Sequence, residues 1–520
     1  MSNQDKTLLY ECINSAEGTL FSDSECEFPL DKKIIDNLKQ IHDKLRENSD
    51  DYEIFYFKDE IDDLWVELLE KSIKCLRYYD KREPFQNQDS NKSPKAYGIN
   101  DLKAYYDRYS KFEKVLYGTS KFYRDHVIHV FRTWLTGIKL LTKNEGVYLK
   151  KMKIQEKEIN VEINNFEKIS IWTIIALTHD LGYPLEKAKG IIDVTQEMVS
   201  TFVSNPDITK DFSFHGVQNY MNDYVVRLMS SRMKQKGFEK DSKNNEEKPV
   251  FVARLQSKYY FKFQKSLEKN SHGILSTLII YKLLTYFLES DYNINEDYTF
   301  DNEDCRQFYI RREILRSIAS HTCDDVYQLY MCSFAFLLRI CDDTQEWGRK
   351  NISELYVKSG QSYKLTDIAF NFMESKANSC SIRESITLSY DEQDDSLMQL
   401  IDRFRKQSLV YVTIFRDGQD TANRDFSFKR NLDINNNDDI IISLLLDVDK
   451  DKASEFNVNV KYNKSTSKIN AKYNKSFFEK INCVDKNSFN LYDQNKNQVD
   501  ESDCKPENWS ERKFSIDLIS

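Results

Sequence analysis

Residues that interrupt helices are scarce along this chain. Only 13 of its 520 residues are glycine and 7 are proline. A fold with many tight β-turns needs more of both, whereas long helices tolerate few of either. The 40% hydrophobic and 13% aromatic fractions are enough to build a sizeable core. We therefore predict a folded, mainly α-helical protein, and the length predicts two to three domains.

The charge balance and the N-terminus exclude several classes of protein. The formal net charge is −9, from 75 basic and 84 acidic residues. This mild acidity gives no general affinity for polyphosphates, so we predict no stable bulk nucleic-acid binding. Residues 1–15 lack the basic and apolar regions of a signal peptide, and no apolar stretch is long enough to span a bilayer. We expect a cytoplasmic protein without a membrane partner.

The first two-thirds of the chain is helical in pattern. Residues 1–116 form a charged, aromatic region in which the apolar spacing at 54–69 predicts a helix. Residues 117–350 form a second region of apolar helices with polar insertions. The insertion near 143–168 is predicted to be a charged helix or a short hairpin. The insertion near 232–250 is almost free of apolar residues at its centre, which predicts an exposed loop.

The C-terminal region, residues 375–520, has a different pattern of residue types. One amphipathic helix is predicted at 395–407, and a polar tail is predicted from about residue 485. Segments rich in β-branched residues, which predict strands, lie at 409–415, 439–448 and 456–462. We therefore predict a mainly α protein with a smaller C-terminal α/β (α+β) domain.

The motif that carries chemistry is His179-Asp180, which ends an apolar helical run. A helix ending in His-Asp places both side chains where the core meets solvent. An imidazole nitrogen and a carboxylate oxygen are good ligands for divalent cations. Two residues cannot complete a coordination sphere, so further ligands must come from other helices. His126 upstream and Asp342 downstream, each in an apolar helical context, are the candidates.

This order of His, His-Asp and a distal Asp resembles the HD superfamily of metal-dependent phosphohydrolases. The resemblance covers about residues 117–347 and implies a helical HD-type bundle. It implies metal ligands at His126, His179, Asp180 and Asp342. Asp343 is the alternative distal ligand, and Asp342 is preferred because it follows an aliphatic-small dipeptide, as in the family. His129, one turn after His126, is as compatible with packing, or with a hydrogen bond to a metal ligand, as with metal binding.

The resemblance also implies a cofactor, one or two divalent ions of Mn, Fe, Zn, Co or Mg. His272 and His321 match, by their order, the ligands of a second metal in binuclear members of the superfamily. Two features depart from that pattern. The family often has paired histidines where His321 is followed by Thr322, and the separation between Asp180 and His272 is longer than usual.

The same resemblance makes hydrolysis of phosphate esters in nucleotides the expected reaction. A deoxynucleoside triphosphohydrolase is the first choice, with Asp180 orienting the nucleophile and His215 as a catalytic acid. The alternative is an HD phosphodiesterase of cyclic or signalling nucleotides, which His272 and His321 favour. A third hypothesis is a catalytically silent nucleotide sensor that binds a protein partner.

Three basic residues near the motifs are candidate substrate-binding groups, namely Arg124, Lys187 and Arg349. The C-terminal domain is expected to support a homo-oligomer or to bind a protein partner. Bacterial HD enzymes of this sort sometimes act in antiviral nucleotide depletion, which is an expectation from the family alone.

Overall fold

The structure is a computed structural model of the 520-residue chain. The residues that it describes are 4–20, 28–47, 57–80, 98–119, 125–154, 156, 159, 161–201, 217–240, 247–295, 297–323, 331–345, 362–372, 377–388, 404, 407, 411, 425–436, 440–449, 455–462, 491–492 and 511–517.

The chain divides into two compact units. The first comprises Met1–Val326, Cys332–Gln345 and Lys350–Ser353, and the second comprises Tyr327–Met331, Glu346–Arg349 and Glu354–Ser520. The protein is mainly helical, as predicted, with a smaller sheet-containing part. Among the described helices, none combines the length and the apolar composition that crossing a bilayer requires.

The described helices all belong to the first unit, apart from single helical residues near position 407. Their bounds are α1 Gln4–Leu20, α2 Lys32–Glu47, α3 Lys58–Tyr79, α4 Ile99–Thr119, α5 Val127–Lys151, α6 Asn165–Thr178, α7 Tyr183–Ser200, α8 Val217–Ser230, α9 Ser257–Glu268, α10 His272–Leu283, α11 Thr285–Leu288, α12 Asn302–Ser320 and α13 Phe334–Asp343. Helix α5 leaves helical geometry over residues 143–146.

The core of this unit is built around α5 and α6, whose residues are almost entirely buried. Helix α6 begins with a capping box between Asn164 and Glu167, which satisfies backbone N–H groups at its start. Trp134 and Trp172 are fully buried between the two helices, and the Trp172 indole donates to Trp134 O at 3.1 Å. Helices α3, α12 and α13 pack around this pair. Of the predicted apolar spacing at 54–69, the part from 61 to 69 is the buried face of α3, and residue 54 lies outside the described residues.

The polar insertion near residue 240 differs from its prediction as a loop. It is a two-stranded antiparallel ribbon of β1 Ser231–Lys240 and β2 Glu247–Leu255. Strand β2 is buried on both faces over residues 250–253, while most of β1 is exposed. A short apolar run therefore anchors strands whose remaining side chains are charged. Polar composition alone did not reveal this pairing.

The insertion near 143–168 combines two structures. The end of α5 occupies its first part, and a single antiparallel bridge joins Ile154 to Val161 before α6 begins. The predicted short hairpin thus has a counterpart in this bridge.

The second unit contains a seven-stranded sheet in the order β3-β4-β5-β6-β7-β9-β8. Its strands are β3 Ser362–Phe372, β4 Ala377–Leu388, β5 Asp425–Asn436, β6 Ile440–Asp449, β7 Glu455–Tyr462, β8 Leu491–Tyr492 and β9 Glu511–Asp517. Strands β4 and β5 are parallel, and all other neighbours are antiparallel. The strands predicted at 439–448 and 456–462 are confirmed as β6 and β7.

Parallel neighbours need a long crossover, and a helix commonly supplies it. The three described residues between β4 and β5 are Phe404, Gln407 and Tyr411, and all three are helical. Arg430 of β5 donates to Gln407 Oε1 at 2.7 Å, and Tyr411 stacks on Phe428. Tyr411 lies in the predicted strand 409–415, so that prediction is wrong at this position; the other residues of the segment lie outside the described chain.

The predicted polar tail from about residue 485 also differs from the structure. Strands β8 and β9 lie within it, and β9 pairs with both β7 and β8. Pairing with a preformed sheet orders a segment that its own composition would leave unstructured.

Candidate metal centre

Two helices of the first unit end in a histidine that folds back on its own last turn. His179 follows α6 and His321 follows α12, as the C-cap residue in each case. Nδ1 of His179 donates to Ala176 O at 2.8 Å, and Nδ1 of His321 donates to Ile318 O at 2.5 Å. Each ring therefore carries its proton on Nδ1, which leaves the Nε2 lone pair directed away from the helix.

The two Nε2 atoms converge on one carboxylate. Nε2 of His179 lies 3.5 Å from Asp180 Oδ2, and Nε2 of His321 lies 3.5 Å from Asp180 Oδ1. Both Nε2 atoms are buried and have no hydrogen-bond partner within the described chain. Lone pairs that face carboxylate oxygens repel one another, and buried polar atoms without partners are costly. A cation among them would satisfy all of these acceptors.

A second pair of helices completes one side of the centre. His129 lies in the first turn of α5 and Asp342 near the end of α13. His129 Nε2 lies 2.9 Å from Asp342 Oδ1 and 3.6 Å from Asp180 Oδ2. The ligand atoms of His129, His179 and Asp342 all lie within 4.8 Å of one another, which is the spacing of a metal-binding group.

Asp180 connects this group to a second one. The ligand atoms of His179, Asp180 and His321 also lie within 4.8 Å of one another. Nε2 of His272, the first residue of α10, lies 3.3 Å from Asp180 Oδ1. One carboxylate oxygen of Asp180 thus faces His129 and His179, while the other faces His272 and His321. Asp180 therefore lies between the two groups of histidines.

The carboxylates of the centre remain ionised despite their burial. Burial by itself raises the pKa of Asp180, but the neighbouring imidazoles, His179 first and then His272 and His321, hold that pKa well below its usual value. Burial opposes ionisation of Asp342 as well, and the hydrogen bond from His129 keeps its pKa low. The donor set therefore offers two ionised carboxylates and four imidazoles.

A glutamate outside the centre orients His272. Glu186 Oε2 accepts from the backbone N–H of His272 at 2.8 Å and from its Nδ1 at 2.7 Å. Burial lowers the pKa of His272, but hydrogen bonds to Asp180 and Glu186 raise it to about 9. The bond on Nδ1 leaves Nε2 to face Asp180, which is how a second carboxylate commonly orients a metal-binding histidine.

The backbone of the His179-Asp180 turn is held from three sides. Trp65 of α3 donates its indole N–H to Leu177 O at 2.9 Å. Tyr105 of α4 donates its hydroxyl to Leu181 O at 2.7 Å. Ser276 of α10 lies 2.7 Å from His179 O. These bonds satisfy carbonyls at the end of α6 and in the turn after it. They thereby fix the direction of the His179 and Asp180 side chains.

Two glycines allow α10 to approach the other helices. A Cβ on Gly182 would lie 2.3 Å from His272 O. A Cβ on Gly273 would lie 2.6 Å from Thr322 Oγ1 and 3.0 Å from His321 Cε1. Any larger residue would push α10 away from the turn and from the end of α12. Close packing at the centre therefore requires glycine at positions 182 and 273.

The first ligand position differs from the sequence expectation. His126 was expected to bind the metal, but the structure places His129 against Asp342 and Asp180. His126 is the N-cap residue of α5, and its ring stacks on Tyr183 at a centroid distance of 3.7 Å. Because it precedes the first helical turn, its side chain turns toward α7. The two histidines lie one turn apart, so spacing in the sequence did not separate them.

The distal aspartates have separate partners. Asp342 faces the centre, whereas Asp343 Oδ2 accepts from Arg339 Nε at 3.0 Å within α13. Lys187 lies exposed on α7 and donates to Glu186 Oε1 at 2.7 Å. Its Nζ lies 5.1 Å from the centre of the Tyr183 ring. Lys187 therefore lies on the side of the centre that carries His272, through its neighbour Glu186.

Three predicted site residues, His215, Arg124 and Arg349, lie outside the described residues. Sequence reasoning also missed Glu186 and Tyr183, although both follow the His-Asp motif closely. Comparison with protein-family models, with curated proteins and with solved structures gave no match. The HD resemblance remains a prediction from the motif.

Proposed function

We propose that this protein is a divalent-metal-dependent phosphohydrolase that acts on nucleotides. The observation that carries the proposal is the convergence of the buried Nε2 atoms of His179 and His321 on Asp180. Such an arrangement is costly without a cation and favourable with one. Mixed imidazole and carboxylate donors fit Mn, Fe, Zn or Co, and Mg, which prefers oxygen ligands, fits less well.

The bound cations would supply a water of lowered pKa and positive charge for the phosphoryl oxygens. The residues of the chain divide the remaining tasks. His129, His179 and Asp342 would hold one cation, and His272 with His321 would hold a second. Asp180 would join the two through its two oxygens. A pair of cations held by these residues would supply charge stabilisation for displacement at phosphorus.

Aromatic and basic side chains border the centre on the α7 side. Tyr183 stacks on His126, and its ring lies edge-on to His272 with centroids 5.3 Å apart. Lys187 places its ammonium group beside the same tyrosine. A positively charged side chain near the reacting phosphate would stabilise charge on the departing group. We assign Lys187 as a phosphate-binding residue and Asp180 as the residue that orients the attacking water.

Two substrate classes are compatible with this centre. A deoxynucleoside triphosphohydrolase is our first choice from the family resemblance. A cyclic- or signalling-nucleotide phosphodiesterase is the second, and the bridging position of Asp180 between His179 and His272 favours it. Both substrates are phosphate esters, so both are served by the same donor set.

The test is a hydrolysis screen of the full chain with Mn, Mg, Co and Zn. The substrates are ribonucleoside triphosphates, deoxynucleoside triphosphates and cyclic nucleotides, with products identified. Triphosphate plus deoxynucleoside would establish the first class, and a linear nucleotide from a cyclic one the second. A protein that binds these metals but hydrolyses none of the substrates would contradict the proposal and favour the silent sensor.

Glu186→Gln is expected to weaken the His272 side of the centre selectively. Glutamine keeps the size of the side chain but loses the charge that orients and polarises His272. We expect one of two bound cations to be held about 10- to 100-fold more weakly. Titration calorimetry with Mn measures this, and Glu197→Gln, exposed on the same helix, is the control. Equal metal affinity in both variants would contradict the role of Glu186.

A further inference from the structure

One part of the first unit is strongly basic, against the mean acidity of the chain. Its described residues are 231–240 and 247–269, the ribbon and α9. They carry three acidic side chains, at Glu239, Glu247 and Glu268, and ten basic ones, of which all but Lys262 are exposed. The basic residues are Arg232, Lys234, Lys236, Lys240, Lys248, Arg254, Lys258, Lys262, Lys265 and Lys269. We call the ribbon and α9 together the basic surface.

The ribbon brings like charges together. Arg232 and Arg254 are direct cross-strand partners, and both are exposed. Two like charges at paired positions of an antiparallel ribbon destabilise it. Lys234 follows on the same face of β1, and Lys258 follows Arg254 four residues later at the start of α9. An anionic ligand that lies along these positions would meet several positive charges at once.

Exposed aromatic rings are interleaved with these charges. Phe238 of β1 is 63% exposed, and Phe261 of α9 is 68% exposed. Covering such exposed rings with a flat partner removes apolar surface from water, which lowers the free energy of the complex. Nucleic-acid bases offer such a flat face, and stacking on aromatic rings tolerates every base.

Helix α9 arranges the same chemistry along one face. Lys258, Phe261, Lys265 and Lys269 are spaced by three or four residues, so they share one exposed side of the helix. The opposite side buries Tyr259, Phe263 and Ser266. The helix is thus fixed in rotation, and its basic, aromatic side faces solvent.

The basic surface borders the metal centre. Cys323, two residues after His321, has its Sγ 3.7 Å from Lys262 O in the middle of α9. At its C-terminal end, α9 leads through a short turn into His272, the first residue of α10. A chain bound along α9 would therefore lie beside the side of the centre formed by His272 and His321.

We propose that the basic surface binds single-stranded nucleic acid. A polyphosphate backbone matches the run of basic residues, and unpaired bases match Phe238 and Phe261. A duplex would offer the phosphates without free base faces, so the exposed rings favour a single strand. This proposal differs from the prediction made from net charge, which averages this region with the acidic remainder of the chain.

The test measures binding of a fluorescein-labelled 20-nucleotide oligo(dT), and separately oligo(U), by anisotropy at low and moderate salt. A chelator is present throughout, so the result does not depend on the metal centre or on the proposed hydrolysis. We expect affinity to fall as salt rises, because bound cations are released from the strand. Lys234→Glu/Lys258→Glu should weaken binding about tenfold or more. Phe238→Ala/Phe261→Ala should weaken it about fivefold or more.

The matched control is Lys103→Glu/Lys150→Glu, which changes net charge equally at exposed positions of α4 and α5. It should bind within about twofold of the unmodified protein, since these lysines lie outside the basic surface. Three results would overturn the proposal. They are absence of oligonucleotide binding at low salt, equal losses in the control and the test variants, and binding to anionic lipid vesicles without binding to either oligonucleotide.

Discussion

Replacing His179 with alanine is expected to remove both high-affinity metal binding and phosphate-ester hydrolysis while the helical content stays unchanged. His179 is a proposed ligand of the cation held with His129 and Asp342, and its ligand atom also lies within 4.8 Å of those of Asp180 and His321, so its loss disturbs both groups. Its Nε2 has no other partner in the described part of the chain, so no structural hydrogen bond is lost on that side of the ring. Replacing a residue that hydrogen-bonds to a metal ligand lowers metal affinity or activity by about 10- to 100-fold. Replacing a ligand itself should therefore lower activity by more than about 100-fold.

The measurements are metal content after dialysis, turnover of the best substrate from the screen, and far-ultraviolet circular dichroism. His42→Ala on α2 is the matched histidine control, because its ring lies beside Asp43 and far along the chain from every ligand. The control should keep full metal content and turnover. If His179→Ala also keeps them, the assignment of the centre is wrong.

Replacing Asp5 with alanine is expected to destabilise the first unit by about 3–5 kcal/mol. Both oxygens of Asp5 accept from Arg132, at 2.9 Å from Nε and at 2.7 Å from Nη2, and both residues are more than nine-tenths buried. Removing the carboxylate leaves a guanidinium charge in a site with little access to water. Its desolvation is then no longer offset by the ion pair.

Chemical denaturation followed by tryptophan fluorescence measures the change in the free energy of unfolding. Glu60→Ala breaks the exposed pair with Lys44 and should cost no more than about 1 kcal/mol. Arg132 lies one turn after His129 on α5. Helix α1 therefore stabilises the segment that carries a candidate ligand. Equal stability of the Asp5 and Glu60 variants would contradict this role.

Periodic segments were the predictable part of the fold. Local sequence was enough to predict the apolar stripe of α3 and the β-branched strands β6 and β7. In such segments, side-chain burial follows the fixed period of the helix or strand. The ribbon was missed because its strands are mostly solvated, so that burial is signalled only by Met233 and by the short run 250–253. Tyr411 was missed because β-branched composition also fits a helix that packs on a sheet.

The candidate centre was predictable in kind but not in every residue. His179, Asp180 and Asp342 were identified by their helical contexts, and the structure brings them together with His272 and His321. The choice of His126 over His129 depended on the rotation of the first turn of α5, which sequence order does not specify. Glu186 carried no signal of its own, since a glutamate on an exposed helix usually has no function.

The way that α6 and α12 end has an energetic consequence beyond the two histidines. Aligned peptide dipoles leave a partial negative charge of about one half at a helix C-terminus. Both helices direct this end toward the same centre, at Thr178 and at Ser320. The backbone itself therefore contributes to cation binding, by about 0.3–1 kcal/mol from each helix. This contribution persists after any side-chain substitution, so ligand variants should retain a weak preference for cations over anions.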